Sequence, residues 1–143
     1  MTFINLITQQ VKSPDWTFHD MRKENQEQIN LALMGYINAP KKVIAYVIQD
    51  SAEDYSEALN YLKTVKFDYL VVPTVETDEQ TTAVVSYVKA QRAANKLIKA
   101  VLPNTTGDNE GIINYATEEV MVNDKKYTTE QYCARIAGII AGT

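Results

Sequence analysis

Three short apolar segments separated by helix-like stretches constrain the fold of this chain more than any other feature. They are VIAYVIQ (43–49), DYLVVP (68–73) and IKAVLP (98–103). Near-continuous apolar runs of this length are typical of strands buried on both faces of a parallel sheet. Because amphipathic stretches separate them, we predict βαβ units. The predicted fold class is therefore a doubly wound α/β domain, Rossmann-like or flavodoxin-like, with a mostly parallel sheet flanked by helices.

The N-terminal part adds one predicted strand and two predicted helices. FINLITQQV (3–11) reads as a strand, and QINLALMGYI (28–37) predicts a helix with one apolar face. The residues expected on that face are Ile29, Leu33 and Ile37. Ser51 is placed to cap the next helix, whose expected stripe is Tyr55, Ala58, Leu59 and Leu62. The segment 12–28 shows no regular pattern and is predicted to be an irregular loop.

The C-terminal part is read in the same way. Thr77 and Gln80 have the spacing of a capping box, for a helix that runs to about Ala94 with Val84, Val85 and Val88 inward. IINYA (112–116) is predicted to be an edge strand. Residues 120–128 predict a small hairpin turning at Asn123-Asp124. Thr128 and Gln131 repeat the capping-box spacing, before a last helix with an expected buried face of Tyr132, Ile136, Ile139 and Ile140.

Composition excludes several classes of function. The 143 residues suit a single α/β domain over 1–143, and a net charge of −4 gives no positive surface for nucleic acid or an anionic membrane. Cys133 is the one cysteine, so an internal disulfide and a cysteine-rich zinc site are excluded. No apolar run reaches the roughly 18 residues that a membrane-spanning helix needs.

The usual catalytic and cofactor motifs are missing from the sequence. It has no glycine-rich loop for a dinucleotide or a triphosphate, no Gly-x-Ser-x-Gly and no His-Glu-x-x-His. The one histidine, His19, excludes any site that needs two, and it reads as a packing or surface residue. Cys133 reads as a small core residue. The residues alone therefore show no recognisable catalytic or cofactor-binding motif.

One acidic set keeps an enzymatic alternative open. Strand exits of a parallel sheet share one edge, and five acidic residues could gather there: Asp50, Glu76, Asp78, Asp108 and Glu110. Such a cluster would bind Mg²⁺ and suggest a flavodoxin-like receiver or a Mg²⁺-dependent phosphoryl-transfer domain. Against this, the first strand ends without an acidic residue, and no lysine follows Pro73 or Pro103. Helix dipoles also favour acidic residues in first turns. A small-nucleotide-binding module is a second alternative, but the missing phosphate loop argues against it.

An ordered set of segments resembles a known family. INLALMG (29–35), PKKVIAYV (40–47), FDYLVVP (67–73), KAVLPN (99–104), EGIINY (110–115) and YTTEQYCARIAGIIAGT (127–143) are similar to tail sheath proteins. These proteins come from contractile-tailed phages and phage-like particles of Gram-positive bacteria. The similarity covers most of the chain from about Gln28, and its specificity lies in the order of the segments. No single segment is a chemical signature.

The resemblance implies a mechanical function, with no catalytic, cofactor-binding or metal-binding residues, no cofactor and no enzymatic activity. Sheath subunits stack as rings around a tail tube, in a virion tail that is made and assembled in the bacterial host cytoplasm. On triggering they slide into a shorter, wider helix that drives the tube through the host envelope. The implied partners are copies of the same subunit and the tail tube protein, with no cofactor, nucleic acid or membrane. Neighbours are joined by terminal strands that complete a partner's sheet.

Sheath subunits of this family are much longer than this chain. The resemblance therefore implies a fragment that lacks an N-terminal arm and a C-terminal portion, and an isolated fragment that is monomeric or weakly associated. It also implies that Asn104–Gly111, which follows the strand ending in Pro103, is a surface connection rather than a ligand loop. Gly107 and Gly111 are expected to supply the permissive backbone that this connection needs.

Overall fold

The computed structural model describes residues 2–8, 22–48 and 52–143. Its strands are β1 (Thr2–Thr8), β2 (Lys42–Ile48), β3 (Tyr69–Val71), β4 (Lys99–Pro103), β5 (Ile112–Tyr115), β6 (Glu119–Val122) and β7 (Lys125–Thr128). Its helices are α1 (Lys23–Met34), α2 (Ser56–Leu62), α3 (Thr81–Ala93) and α4 (Thr129–Ala141). None of the helices in these ranges is long and apolar enough to cross a membrane.

The five strands β1–β5 form one parallel sheet in the order β2-β1-β3-β4-β5. This is the strand order of the flavodoxin-like doubly wound fold. The prediction of a doubly wound α/β architecture is therefore confirmed. β6 and β7 pair separately as an antiparallel hairpin.

Two apolar cores cover the two faces of the sheet, because successive strand residues point to opposite faces. On β3, Leu70 packs into the core shared with α2 and α3, while Val71 packs into the core shared with α1 and α4. β4 alternates in the same way, with Leu102 in the first core and Val101 in the second. These four side chains have no solvent exposure, so β3 and β4 form the buried centre of the sheet.

Helix α1 differs from the prediction at both ends. It begins at Lys23, five residues before the expected Gln28, so residues 23–28 are helical rather than irregular. The rest of the expected loop, 12–21, lies outside the described residues. The helix stops at Met34 because Gly35, at φ 58°, turns the chain. Ile29 is buried as predicted, but Leu33 and Ile37 are exposed.

β2 and α4 also pack differently from the sequence pattern. β2 lies at the edge of the sheet and is largely half-buried, although its apolar run predicted burial on both faces. In α4 the small residues Cys133, Ala134, Ala137 and Gly138 face the core. The larger residues expected there are only partly buried: Tyr132, Ile136, Ile139 and Ile140. α4 lies so close to α1 that only small side chains fit on the face of α4 that is buried there.

The local signals of the C-terminal part are largely confirmed. Asn123 and Asp124 both have positive φ, as a two-residue hairpin turn requires. The Thr128–Gln131 capping box is present, with both reciprocal hydrogen bonds.

The prediction of a Thr77–Gln80 capping box is wrong: α3 starts at Thr81 after Gln80, without a side-chain cap. Val84 and Val88 face inward as predicted, and Val85 is partly buried. The predicted stripe of α2 is buried, whereas Ser51 lies outside the described residues.

Candidate functional site

The carboxyl edge of the sheet, where the expected acidic cluster would lie, is built from the loops after β3 and β4. Glu76 and Asp78 follow β3, and Asn104 follows β4. The Asn104 side-chain amide donates a hydrogen bond to Glu76 Oε1 at 3.3 Å. The two loops are therefore in contact, as expected for neighbouring parallel strands.

The carboxylate of Asp78 forms hydrogen bonds within the loops of this edge. Asp78 accepts hydrogen bonds from the Tyr55 hydroxyl and from Thr74 Oγ1, the latter at 2.7 Å. These bonds join the turn after β3 to the start of α2. Burial, with the hydrogen bond to Asp78, raises the pKa of Tyr55, so this phenol remains a neutral donor at every physiological pH. Asp78 is thus committed to a structural network.

Of the remaining members of the predicted acidic cluster, Asp108 shares a cleft with Glu76, whereas Glu110 does not. Glu110 forms an ion pair of 3.1 Å with Arg92, near the end of α3 and away from Glu76. Asp108 lies beside a shallow cleft of about 630 Å³ that is also lined by Glu76 and Lys89, with Thr81, Thr82 and Ser86 of α3 on its wall. Asp50 lies outside the described residues. Among the described residues, no group of three His, Cys, Asp or Glu side chains is placed to hold a metal ion.

Glu130, in the first turn of α4, also binds the loop after β3 at this edge. The sequence analysis missed this residue. Its carboxylate accepts hydrogen bonds from the backbone N–H groups of Glu76 (3.0 Å) and Thr77 (3.2 Å). The Thr77 hydroxyl donates to it as well, at 2.5 Å. Glu130 therefore fastens the first turn of α4 to the loop after β3. No local pattern could reveal this contact, because 54 positions separate Glu130 from Glu76.

Backbone groups of the connection 104–111 form hydrogen bonds within the connection and to β5. Thr105 N–H donates to Asn114 Oδ1 (3.0 Å), and Gly111 N–H donates to Asn109 Oδ1 (2.8 Å). The positive φ of this connection is at Asn104, so the expectation that Gly107 and Gly111 supply it is wrong. Gly111 is needed for close packing instead, because a Cβ there would lie 2.4 Å from Arg92 Cδ and 2.8 Å from Val88 Cγ1.

Comparison with known protein families identifies the family of this domain. Residues 49–143 match the model of the phage tail sheath protein central domain. The chain belongs to the phage tail sheath family. That family is structural and non-enzymatic, so the alternative of a phosphoryl-transfer domain is set aside. The resemblance identified in the sequence is confirmed.

Three relatives extend the comparison. The tail sheath protein of Clostridium phage phiCD119 is 36% identical over 104 residues, covering 73% of this chain and 29% of that protein. Bacillus subtilis YqbK is 30% identical over 90 residues, covering 62% of this chain and 19% of YqbK. The crystal structure of a sheath tail protein from Desulfitobacterium hafniense superposes with a TM-score of 0.57 at 26% identity. That match covers 62% of this chain and 22% of the other. The chain thus spans less than a third of each relative.

In this sheath domain the hairpin is tied to α1 by one carboxylate. Glu27 accepts a hydrogen bond from the Tyr127 hydroxyl at 2.7 Å and forms an ion pair with Lys125 Nζ at 2.5 Å. The hydrogen bond to Glu27, together with burial, raises the pKa of Tyr127 to about 12. For Glu27, burial alone would raise the pKa, but the hydrogen bonds from Lys125 and Tyr127 and the Lys125 charge outweigh it and lower the pKa.

This contact predicts a pH-dependent contribution to stability. Since folding lowers the pKa of Glu27 below its ordinary 4.5, the contribution is complete above that value and is lost as the pH falls through the folded pKa. Urea unfolding between pH 7 and pH 3 should show a smaller acid-induced loss of stability in Glu27→Gln than in the wild type. Glu53→Gln, at an exposed position, is the matched control. Identical pH profiles for wild type and Glu27→Gln would contradict the assignment.

Cys133 is a packed core residue of the sheath domain. It has no solvent exposure, and its Sγ lies 3.4 Å from the Thr129 carbonyl oxygen. Burial, assisted by the negative charges of Glu130 and Glu76, raises the pKa of the thiol to about 12. A thiol with this pKa is almost entirely protonated at neutral pH, so it is a poor nucleophile.

The environment of Cys133 predicts very slow modification of the native protein. A thiol reagent such as DTNB should label the native chain at least about a hundredfold more slowly than the urea-unfolded chain, because the buried thiol reacts only when the structure opens. The rate should rise with urea in parallel with the loss of circular dichroism. Immediate stoichiometric labelling of the folded chain would show that Cys133 is accessible.

Proposed function

We propose that this domain is part of a tail sheath subunit that surrounds a tail tube and contracts to drive the tube through a bacterial envelope. The observation that carries the proposal is the match of residues 49–143 to the sheath central-domain model. The partners would be further copies of the subunit, stacked in rings, and the tube protein. The site of action would be the tail of a phage or phage-like particle, assembled in the cytoplasm of the host.

The packing of the domain is consistent with a part that moves as a unit. The strands β3 and β4 are buried on both faces, and α4 lies on β3, β4 and α1 at once. Deforming such a packed interior is costly, whereas contacts between separate bodies can exchange between two arrangements. On this proposal contraction rearranges contacts between subunits, and energy stored in the extended assembly is released as better contacts form.

Electron microscopy tests the proposed function. The product of the complete reading frame and this 143-residue chain would be purified in parallel and imaged in negative stain at several salt concentrations. Tubes or stacked rings from the complete product, absent from the chain alone, would support the proposal. Discrete small particles from the complete product under every condition would contradict it.

A further inference from the structure

The charges of the domain are unevenly distributed along the strand axis. We use "amino edge" for the loops that precede β2, β3 and β4 (residues 35–41, 63–68 and 94–98). Six lysines lie in these loops or at the first strand positions beside them: Lys41, Lys42, Lys63, Lys66, Lys96 and Lys99. Among the described residues of these loops, Asp68 is the acidic one. Lys63, Lys66 and Lys96 surround a cleft of about 420 Å³.

The opposite end of the strands is acidic. We use "carboxyl edge" for the loops and first helical turns that follow β2, β3 and β4. Seven acidic residues lie there: Glu53, Asp54, Glu57, Glu76, Asp78, Glu79 and Asp108. The segments 52–62 and 72–88, which supply six of them, contain no lysine or arginine. Lys89, further along α3, is the lysine that lines the cleft beside Glu76 and Asp108. Glu110, two residues before β5 begins, lies instead at the amino end of the strands, where it pairs with Arg92. Lys125 and Lys126, on the hairpin, pair with Glu27 and Glu119.

Exposed apolar side chains single out the amino edge as a contact surface. Ile37 is 84% exposed and Leu97 is 72% exposed, and Met34 and Tyr36 are exposed beside Ile37. The helix dipole explains acidic residues at helix starts and basic residues at helix ends. It does not explain why large apolar side chains are left in water at the same end as the lysines. Aromatic and aliphatic side chains within a charged surface are instead typical of protein interfaces.

We propose that the amino edge of one copy docks on the carboxyl edge of a second copy. The lysines around the cleft would face Glu76 and Glu79 of the neighbour, while Ile37 and Leu97 would lose water on contact. A contact between two different surfaces of the same chain is head-to-tail, so it continues into a stack instead of closing as a dimer. The choice of a second copy as partner rests on the proposed sheath function. The complementary charges are independent of it.

Charge reversal tests the orientation of this contact. Lys66→Glu/Lys96→Glu puts negative charges at the amino-edge cleft, and Glu76→Lys/Glu79→Lys puts positive charges at the residues that would face that cleft. In each variant alone, like charges would therefore meet at these positions. In sedimentation velocity at about 0.02 M salt, each variant alone should self-associate at least about tenfold more weakly than the wild type. An equimolar mixture of the two should associate again, because the reversed positions of one variant then meet the reversed positions of the other. At about 0.5 M salt the differences should shrink.

Two further variants complete the design. Lys23→Glu/Lys126→Glu reverses the same number of charges at exposed positions away from the amino edge, and it should associate like the wild type. Ile37→Ser/Leu97→Ser should weaken association while leaving the melting temperature within a degree or two, because both side chains are exposed. Circular dichroism of each variant would confirm that it is folded.

The outcomes separate this inference from the proposed function. Loss of association in each charge variant and its recovery in the mixture would establish the head-to-tail contact. No association of the wild-type chain at about 0.02 M salt, no recovery in the mixture, or equal weakening by Lys23→Glu/Lys126→Glu would overturn it. If the complete reading frame forms tubes that are unaffected by Lys66→Glu/Lys96→Glu, this contact is wrong while the sheath function stands. If the chain shows salt-sensitive stacking but the complete product forms no tubes, the contact stands and the sheath function is wrong.

Discussion

Replacement of Leu70 by alanine is expected to destabilise the domain by about 2–5 kcal/mol. Leu70 lies on β3, the central strand of the five-stranded sheet, and its side chain has no exposure to solvent. It packs into the core that α2 and α3 share with the sheet. Truncation to alanine removes apolar contacts and leaves a cavity that rigid neighbours on two strands and two helices cannot fill.

Equilibrium urea unfolding followed by circular dichroism measures this effect. Leu97→Ala is the matched control, since it removes the same atoms from a side chain that is 72% exposed. Its free energy of unfolding should change by less than about 0.5 kcal/mol. A loss in Leu70→Ala as small as that in the control would mean that Leu70 is not in the core, and the strand order would need revision.

Replacement of Gly138 by alanine is the second large effect, expected at about 3 kcal/mol of destabilisation. A Cβ at this position would lie 2.1 Å from the Ala32 carbonyl oxygen and 2.9 Å from its carbon. These are backbone atoms of α1, so no rotamer change relieves the contact. The helices would have to separate, which would disturb the core formed by α1, α4 and the sheet.

The sign of this effect makes it diagnostic. In an exposed helix interior, exchange of glycine for alanine stabilises by about 1 kcal/mol, because alanine has the higher helix propensity. Ser86→Ala on the exposed face of α3 provides the control and should be neutral or slightly stabilising. Urea unfolding at neutral pH would show the difference. A more stable Gly138→Ala variant would mean that α1 and α4 do not approach as closely as described.

The proposed head-to-tail contact combines features that are separate in the sequence. There, the acidic residues at the strand exits suggest a metal site, and the apolar residues near Ile37 suggest one face of a helix. The fold brings the acidic residues to one end of the strands and the lysines to the other. It also leaves Ile37 and Leu97 outside the core at the basic end.

Most of the architecture could be predicted from the sequence, because strands buried on two faces impose a local pattern. The runs that became β3 and β4 are apolar at nearly every position, since alternate residues enter opposite cores. The hairpin turn at Asn123-Asp124 and the cap at Thr128 depend on residues within a few positions of one another. Features that depend on neighbouring residues in this way can be predicted from the sequence without knowledge of the fold.

The tertiary structure alone decided the details that depend on distant partners. The approach of α1 to α4 placed Gly138 and Ala134 in the core and left Ile136 half-buried, although periodicity favoured the larger side chain. Glu130 and Thr77 meet across 53 positions, and α3 begins at Thr81, after both residues of the apparent capping box. Sequence periodicity records which residues are apolar, but helix spacing decides which apolar residues fit, and only chain folding brings distant polar groups together.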